Sequence, residues 1–151
     1  MTTAPTLQGD QVILEPVGSA QIPELRRILA TSEVRFAIIV GGEVCGMVQY
    51  DEEDTPMYRH ASIDIFVDPA VHNRGIGRDA VRTVARHLIA DLGHHRIVID
   101  PAADNEPAIR CYESVGFRPV GIMRQYEHDV DGDGWHDGLL MDLLADELDT
   151  A

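Results

Sequence analysis

The chain is poor in cysteine, in basic residues and in long apolar runs, and each shortage excludes a class of protein. Cys45 and Cys111 are the only cysteines. Two are too few for a disulfide framework or a CxxC metal site, so both are expected to be reduced and packed. Lys and Arg together number 12 against 26 Asp and Glu, a formal charge of −14. Nucleic acid and anionic membranes require a basic footprint, so neither is an expected partner. A cationic substrate suits such a field, although an acidic surface also serves solubility alone. No stretch approaches the roughly 18 apolar residues that cross a bilayer. The opening Met1-Thr2-Thr3-Ala4-Pro5 lacks a basic segment followed by an apolar run. A cytoplasmic protein, monomer or homodimer, is the expectation.

What is present suits one compact α/β domain over residues 1–151, since 151 residues with 44% apolar content can bury a core of their own. Apolar β-type runs predict strands over 11–15, 36–40, 43–50, 61–67, 96–99, 117–124 and 138–144. Gly41-Gly42 between two of them tolerates the positive φ angles of a tight hairpin. Ser19 can cap a helix over 20–30, where Ile22, Leu25, Ile28 and Leu29 recur at helical spacing. Asp51-Glu52-Glu53-Asp54-Thr55-Pro56 reads as an exposed loop, its acidic residues 51–54 facing water or, as the alternative, receiving a cation. A long helix follows the strand at 61–67, with Val81, Val84, Ala85, Leu88 and Leu92 as its apolar stripe and Arg78, Arg82 and Arg86 elsewhere on it; Gly93 ends it. A second helix spans 106–115 before Gly116. Together these predict a mixed, mostly antiparallel sheet of six or seven strands with helices on both faces.

The sharpest chemical feature is His72-Asn73-Arg74-Gly75-Ile76-Gly77-Arg78, between a strand and a strongly amphipathic helix. Glycines let a backbone approach a phosphate, and the first N–H groups of a helix have no internal partners, so the segment can hold a pyrophosphate. Arg74 and Arg78 can add charge-assisted bonds. It is neither a Walker A loop nor the Gly-x-Gly-x-x-Gly of a dinucleotide-binding unit. Further on, Asn105, Ala108 and Tyr112 fall three and four residues apart, on one helical face spanning about 10 Å. Asn105 equally suits a helix N-cap, and Tyr112 a half-buried core aromatic. Asp64 lies mid-strand, exposed or functional; Asp100 follows Ile97-Val98-Ile99 at the strand end where α/β sheets place ligands, or caps a loop before Pro101.

Arg74-Gly75-Ile76-Gly77-Arg78 in this setting resembles the acetyl-CoA pyrophosphate loop of the GNAT superfamily, with His72 where Arg or Gln is commoner. Asn105 to Phe117 resembles the same superfamily's Asn-x-x-Ala-x-x-x-Tyr-x-x-x-Gly-Phe pattern without a gap. The resemblance implies a GNAT fold, acetyl-CoA as cosubstrate and transfer of its acetyl group to an amine. It implies that Asn105 hydrogen-bonds the pantetheine arm, that Ala108 leaves room for it, and that the backbone of Ile65, Phe66 and Val67 pairs with it. The Tyr112 hydroxyl would stand at the thioester sulfur and protonate the departing thiolate. An amine must lose a proton before it attacks, and Asp64 and Asp100 are the candidate carboxylates, acting directly or through water.

Ile99-Asp100-Pro101, Asn105 and Ala108 to Glu113, with Ile63-Asp64 upstream, are similar in particular to aminoglycoside 6'-N-acetyltransferases. In them, aspartates matching Asp64 and Asp100 contact the amino sugar. Only about five residues separate the first helix from the strand at Phe36, so the second helix that usually walls the acceptor pocket is shortened or missing. Asp129 to Gly134 matches the opening of an EF-hand loop, but its twelfth position is Leu140 and no helices flank it. An acidic turn between strands is expected there, with no metal. Trp135 to Met141 resembles a closing GNAT strand, with His136 and Asp137 in a solvated hairpin or, as the alternative, near the acceptor mouth.

Overall fold

The computed structural model describes residues 4–17 and 34–149. The helix expected over 20–30, and the question of a second one before Phe36, lie outside the described residues. The described elements are β1 (Leu7–Gln8), β2 (Ile13–Pro16), β3 (Val34–Val40), β4 (Glu43–Glu53), β5 (His60–Val67), α1 (Ile76–Ala90), β6 (Arg96–Ile99), α2 (Glu106–Val115), β7 (Arg118–His128) and β8 (Trp135–Leu144). The strands form one eight-stranded sheet in the order β1-β2-β3-β4-β5-β6-β8-β7. The strand beyond the expected six or seven is the two-residue β1, too short to carry a hydrophobic period.

Every pairing is antiparallel except that of β5 with β6. A parallel pair needs a crossover, and α1 supplies it. β5 and β6 match at only two positions, Ala61 with Ile97 and Ser62 with Val98. Beyond them the strands part, and the opening lies between Ile63 to Val67 on one side and Ile99 to Asp100 on the other.

One sheet face carries the core. Phe36 pairs with Val48, Tyr50 with Ile63 and Ile97 with Leu143, all buried. α1 lies on this face, its Val81, Val84, Ala85 and Leu88 fully buried and its His87 ring 6.3 Å from that of Tyr50. Each such Val or Leu contributes about 1.5–3 kcal/mol by leaving water. The hairpin at Gly41-Gly42 has both residues at positive φ, 59° and 82°, as a two-residue turn between right-twisted strands requires.

The segment after Tyr50 departs from the expected loop: β4 continues through Glu53, pairing Asp51 with Ser62 and Glu52 with Ala61. Glu52 does not face water alone; its Oε2 stands 2.6 Å from Nε2 of the fully buried His94. Arg82, expected on the polar side of α1, is buried and paired with Asp10 at 3.7 Å. Asp79 is buried too, and its carboxylate accepts the backbone N–H groups of Asp10, Gln11 and Val12 at 3.0, 2.6 and 3.0 Å. That clamp ties the turn between β1 and β2 to the first turn of α1, directly beside the glycine loop.

Candidate active site

Where β5 has parted from β6 lies a cleft of about 530 Å³, walled by the end of β5, the loop into α1 and one face of α2. Its glycine loop is built from two left-handed residues, Asn73 at φ 65° and Gly75 at φ 76°, the latter capping α1. Asparagine tolerates that region and glycine favours it, so the chain can turn sharply enough to present the first N–H groups of α1. Gly77 is more telling. A Cβ there would meet Val67 and Cys111 only at 3.8 and 3.9 Å, ordinary contact, so protein packing does not require glycine. The space it leaves belongs to the cleft.

All the residues expected to hold the cosubstrate line this cleft except Arg74, which is exposed and outside it. Arg78 lines it but is engaged: its guanidinium donates to the Ser114 hydroxyl at 3.2 Å and pairs with Asp149 at 3.3 Å. The His72 ring reaches back, Nε2 to the Val67 carbonyl at 2.8 Å, and so braces the end of β5. Asn105 is the N-cap of α2, accepting from the Ala108 N–H at 3.3 Å, while also lining the cleft. Cys111 belongs to the wall of the cleft rather than to the packed interior, unlike buried Cys45.

A second cavity, about 290 Å³, opens on the far side of Tyr112 and holds Asp64, Asp100, Glu127 and His136. It shares Ile65, Asn105, Ala108 and Tyr112 with the glycine-loop cleft. Tyr112 therefore stands at the junction, buried and edge-on to Phe117 at 6.4 Å. Its phenol is held well above the ordinary tyrosine range, first by burial and then by the charges of Cys111, Asp64 and Asp100. It stays protonated across any working pH. Asp64 receives the Gln49 amide at 3.3 Å, and Gln49 in turn receives the Arg35 guanidinium at 2.8 Å. Asp100 accepts the Tyr126 hydroxyl at 2.6 Å, which pushes that phenol up to about 12.

The sequence motifs do not reach Glu127 and Tyr126, whereas Asp51, in the acidic stretch expected to face water or receive a cation, lines with Asp64, Asp100 and Tyr126 a third cavity adjoining the second. Gly138, buried within β8, was the available signal, since glycine inside a strand marks a close approach. His136, read as part of a solvated hairpin, is half-buried in the second cavity, and its imidazole is shifted upward chiefly by its 2.9 Å bond to Asp129. The Asp129 to Gly134 segment is the turn joining β7 to β8, closed by the Asp129 N–H on the Gly134 carbonyl at 2.9 Å. Among the described residues, no group of three or more His, Cys, Asp or Glu is placed to hold a metal ion, and no helix is long and apolar enough to cross a membrane.

Residues 10–117 match the model of the acetyltransferase (GNAT) family. The N-alpha-acetyltransferase RimI of Mycobacterium tuberculosis is 37% identical over 73 residues, 48% of this chain and 43% of that protein. The spermidine N(1)-acetyltransferase of Escherichia coli is 26% identical over 96 residues, 63% and 51% of the two chains. The chain spans about half the length of these curated relatives. Among solved structures, RimL, a ribosomal L7/L12 alpha-N-protein acetyltransferase in complex with coenzyme A, superposes with a TM-score of 0.76 at 14% identity, over 93% of this chain and 98% of that one. At that identity the likeness concerns the fold, and the fold is that of the parted β5 and β6 with a glycine loop at the mouth. With a family model covering most of the described core and both motifs lining one cleft, this chain belongs to the GNAT family of acetyltransferases.

Proposed function

We propose that this domain moves an acetyl group from acetyl-CoA to a primary amine of a small cationic acceptor, by direct attack while both substrates are bound. The observation that carries the reading is the position of Tyr112, shared between the glycine-loop cleft and the carboxylate-lined cavity. The cleft suits acetyl-CoA: its wall is largely apolar, the first N–H groups of α1 face a loop with room for phosphate, and Gly77 leaves space that packing does not need. When bound, acetyl-CoA supplies an activated thioester carbon. Ile76, Gly77 and Arg78 would hold the pyrophosphate through their backbone N–H groups. Asn105 and the β5 backbone at Ile65, Phe66 and Val67 would hold the pantetheine arm.

Asp64 and Asp100 bind the ammonium form of the acceptor and take its proton, directly or through water, so that a neutral amine faces the thioester. Tyr112 donates its proton to the departing sulfur. Cys111 lines the cleft, but burial raises its thiol, outweighing the lowering effect of Arg78. A thiol kept protonated is a poor nucleophile, which favours direct transfer over a covalent acyl-enzyme.

Four carboxylates, Asp51, Asp64, Asp100 and Glu127, line the two acceptor-side cavities, so a polycation such as an aminoglycoside or a polyamine is the favoured acceptor. The RimI likeness favours a second reading, a peptide α-amine. Thiol release from acetyl-CoA with kanamycin, spermidine and alanine-led peptides, and mass spectrometry of the products, separates them. Tyr112→Phe should lower kcat by about 100-fold or more; undiminished turnover would overturn its role as acid. CoA binding with no turnover of any amine would identify an acetyl-CoA sensor instead.

A further inference from the structure

Opposite Asp137, β7 carries three residues instead of one. Met123 pairs with Gly138 and Glu127 with His136, leaving Arg124, Gln125 and Tyr126 in a bulge. Asp137 pins that bulge: its Oδ1 accepts the N–H of Gln125, at 2.8 Å, where the backbone turns left-handed at φ 47°. Gly138 then admits the Tyr126 ring, because a Cβ would stand 2.8 Å from its Cδ2 atom. These two residues and Leu139 hold the chain just past Asp100. The Asp137 carbonyl accepts from Ala103 N–H at 2.9 Å, Ala102 bridges Gly138, and the Leu139 N–H bonds the Pro101 carbonyl at 2.8 Å. Bulge, glycine and strand extension thus converge on one contact, the Tyr126 hydroxyl on Asp100 Oδ2.

We propose that Tyr126 is a positioning residue for Asp100: the β7 bulge delivers its phenol to Oδ2, fixing the carboxylate and leaving Oδ1 to meet the acceptor amine. This rests on the reading of Asp100 as a carboxylate that handles the amine. A short bond from a fixed donor restricts rotation of the Asp100 side chain, which has a cavity on two sides and would otherwise sample several rotamers. Aromatic residues in a regular strand at this edge would have no such reach, which is why the bulge matters.

The test is a double-mutant cycle with spermidine and kanamycin as amine probes. Tyr126→Phe should lower kcat/KM for the amine about tenfold, the size expected for one lost hydrogen bond to a charged group, with CoA affinity unchanged. Combined with Asp100→Asn, it should add less than about twofold to the loss that Asp100→Asn causes alone. Losses that multiply would mean that Tyr126 acts on the substrate independently, and would overturn the proposal. Full activity of Tyr126→Phe would do the same. Full activity of Asp100→Asn would instead remove the reading of Asp100 itself, and the positioning role with it. Gly138→Ala, which crowds the Tyr126 ring, should reproduce the loss seen in Tyr126→Phe. A readout free of any acceptor is the ionisation of Tyr126, taken as the ultraviolet difference between wild type and Tyr126→Phe in a rapid pH jump. It should titrate near 12 and fall toward 10 in Asp100→Asn; a wild-type value near 10 would overturn the contact.

Discussion

At the scale of single residues, Tyr112 and Tyr126 show how one side-chain type takes two roles from two surroundings. Tyr112 is buried, and its phenol is raised by desolvation ahead of neighbouring negative charge, which keeps it protonated at neutral pH. Tyr126 is half-exposed, and its phenol is raised chiefly by donating to Asp100, which suits a brace. Both shifts have a consequence for stability. Below about pH 10 the phenols are protonated in native and unfolded chains alike, and their contribution is constant. Above it the unfolded chain loses protons that the native one keeps, so unfolding releases protons and stability falls as pH rises. The urea midpoint should therefore decline above about pH 10, more gently in Tyr126→Phe than in wild type. Identical declines would show that Tyr126 keeps no raised value in the native state.

At the scale of elements, α1 does two jobs with its first turn. Gly77 faces the cleft, and Asp79, two residues on, holds the N-terminal strands. Gly77→Ala should leave the urea midpoint unchanged or raise stability by up to about 1 kcal/mol, since alanine is the better helix former. CoA affinity, measured by calorimetry, should nevertheless drop about tenfold, because the methyl group fits the protein but occupies the cleft. Unchanged affinity would place the cosubstrate elsewhere. Asp79→Ala removes the acceptor of three backbone N–H groups at a buried site and should cost about 3 kcal/mol. An unaltered urea midpoint would mean that those groups find other partners. The bulge in β7 belongs to this scale as well, for it converts an edge strand into a source of cavity-lining side chains.

At the scale of the whole molecule, the charge of −14 surrounds a cavity beside Tyr112 that is itself acidic. A field of one sign draws in counter-charged substrate, and salt screens it. Raising ionic strength from about 0.01 M to about 0.1 M shortens the screening length from about 30 Å to about 10 Å. KM for spermidine should rise several-fold over that range while kcat holds; a flat KM would assign the acidity to solubility alone. The chain also contains no lysine, all 12 of its basic residues being arginine. Product mass spectra are consequently free of lysine self-acetylation.

The lining of the glycine-loop cleft was legible in the sequence because its parts are local. Asn73 to Gly77 set their own turn through glycine and asparagine, and Asn105, Ala108 and Tyr112 share a face because a helix repeats every 3.6 residues. Neighbours along the chain determine both, whatever surrounds them. The carboxylate-lined cavities were decided by the tertiary structure. Asp64 comes from β5, Asp100 from the end of β6, Glu127 and Tyr126 from β7 and His136 from β8, four strands whose order is not their order in sequence. β8 inserts between β6 and β7, and a three-against-one bulge then aims Tyr126 at Asp100. Strand order and register arise from burial summed over the whole sheet, so no short window carries them. The carboxylate-lined cavity had to wait for the fold, while the glycine-loop cleft could be read in two segments.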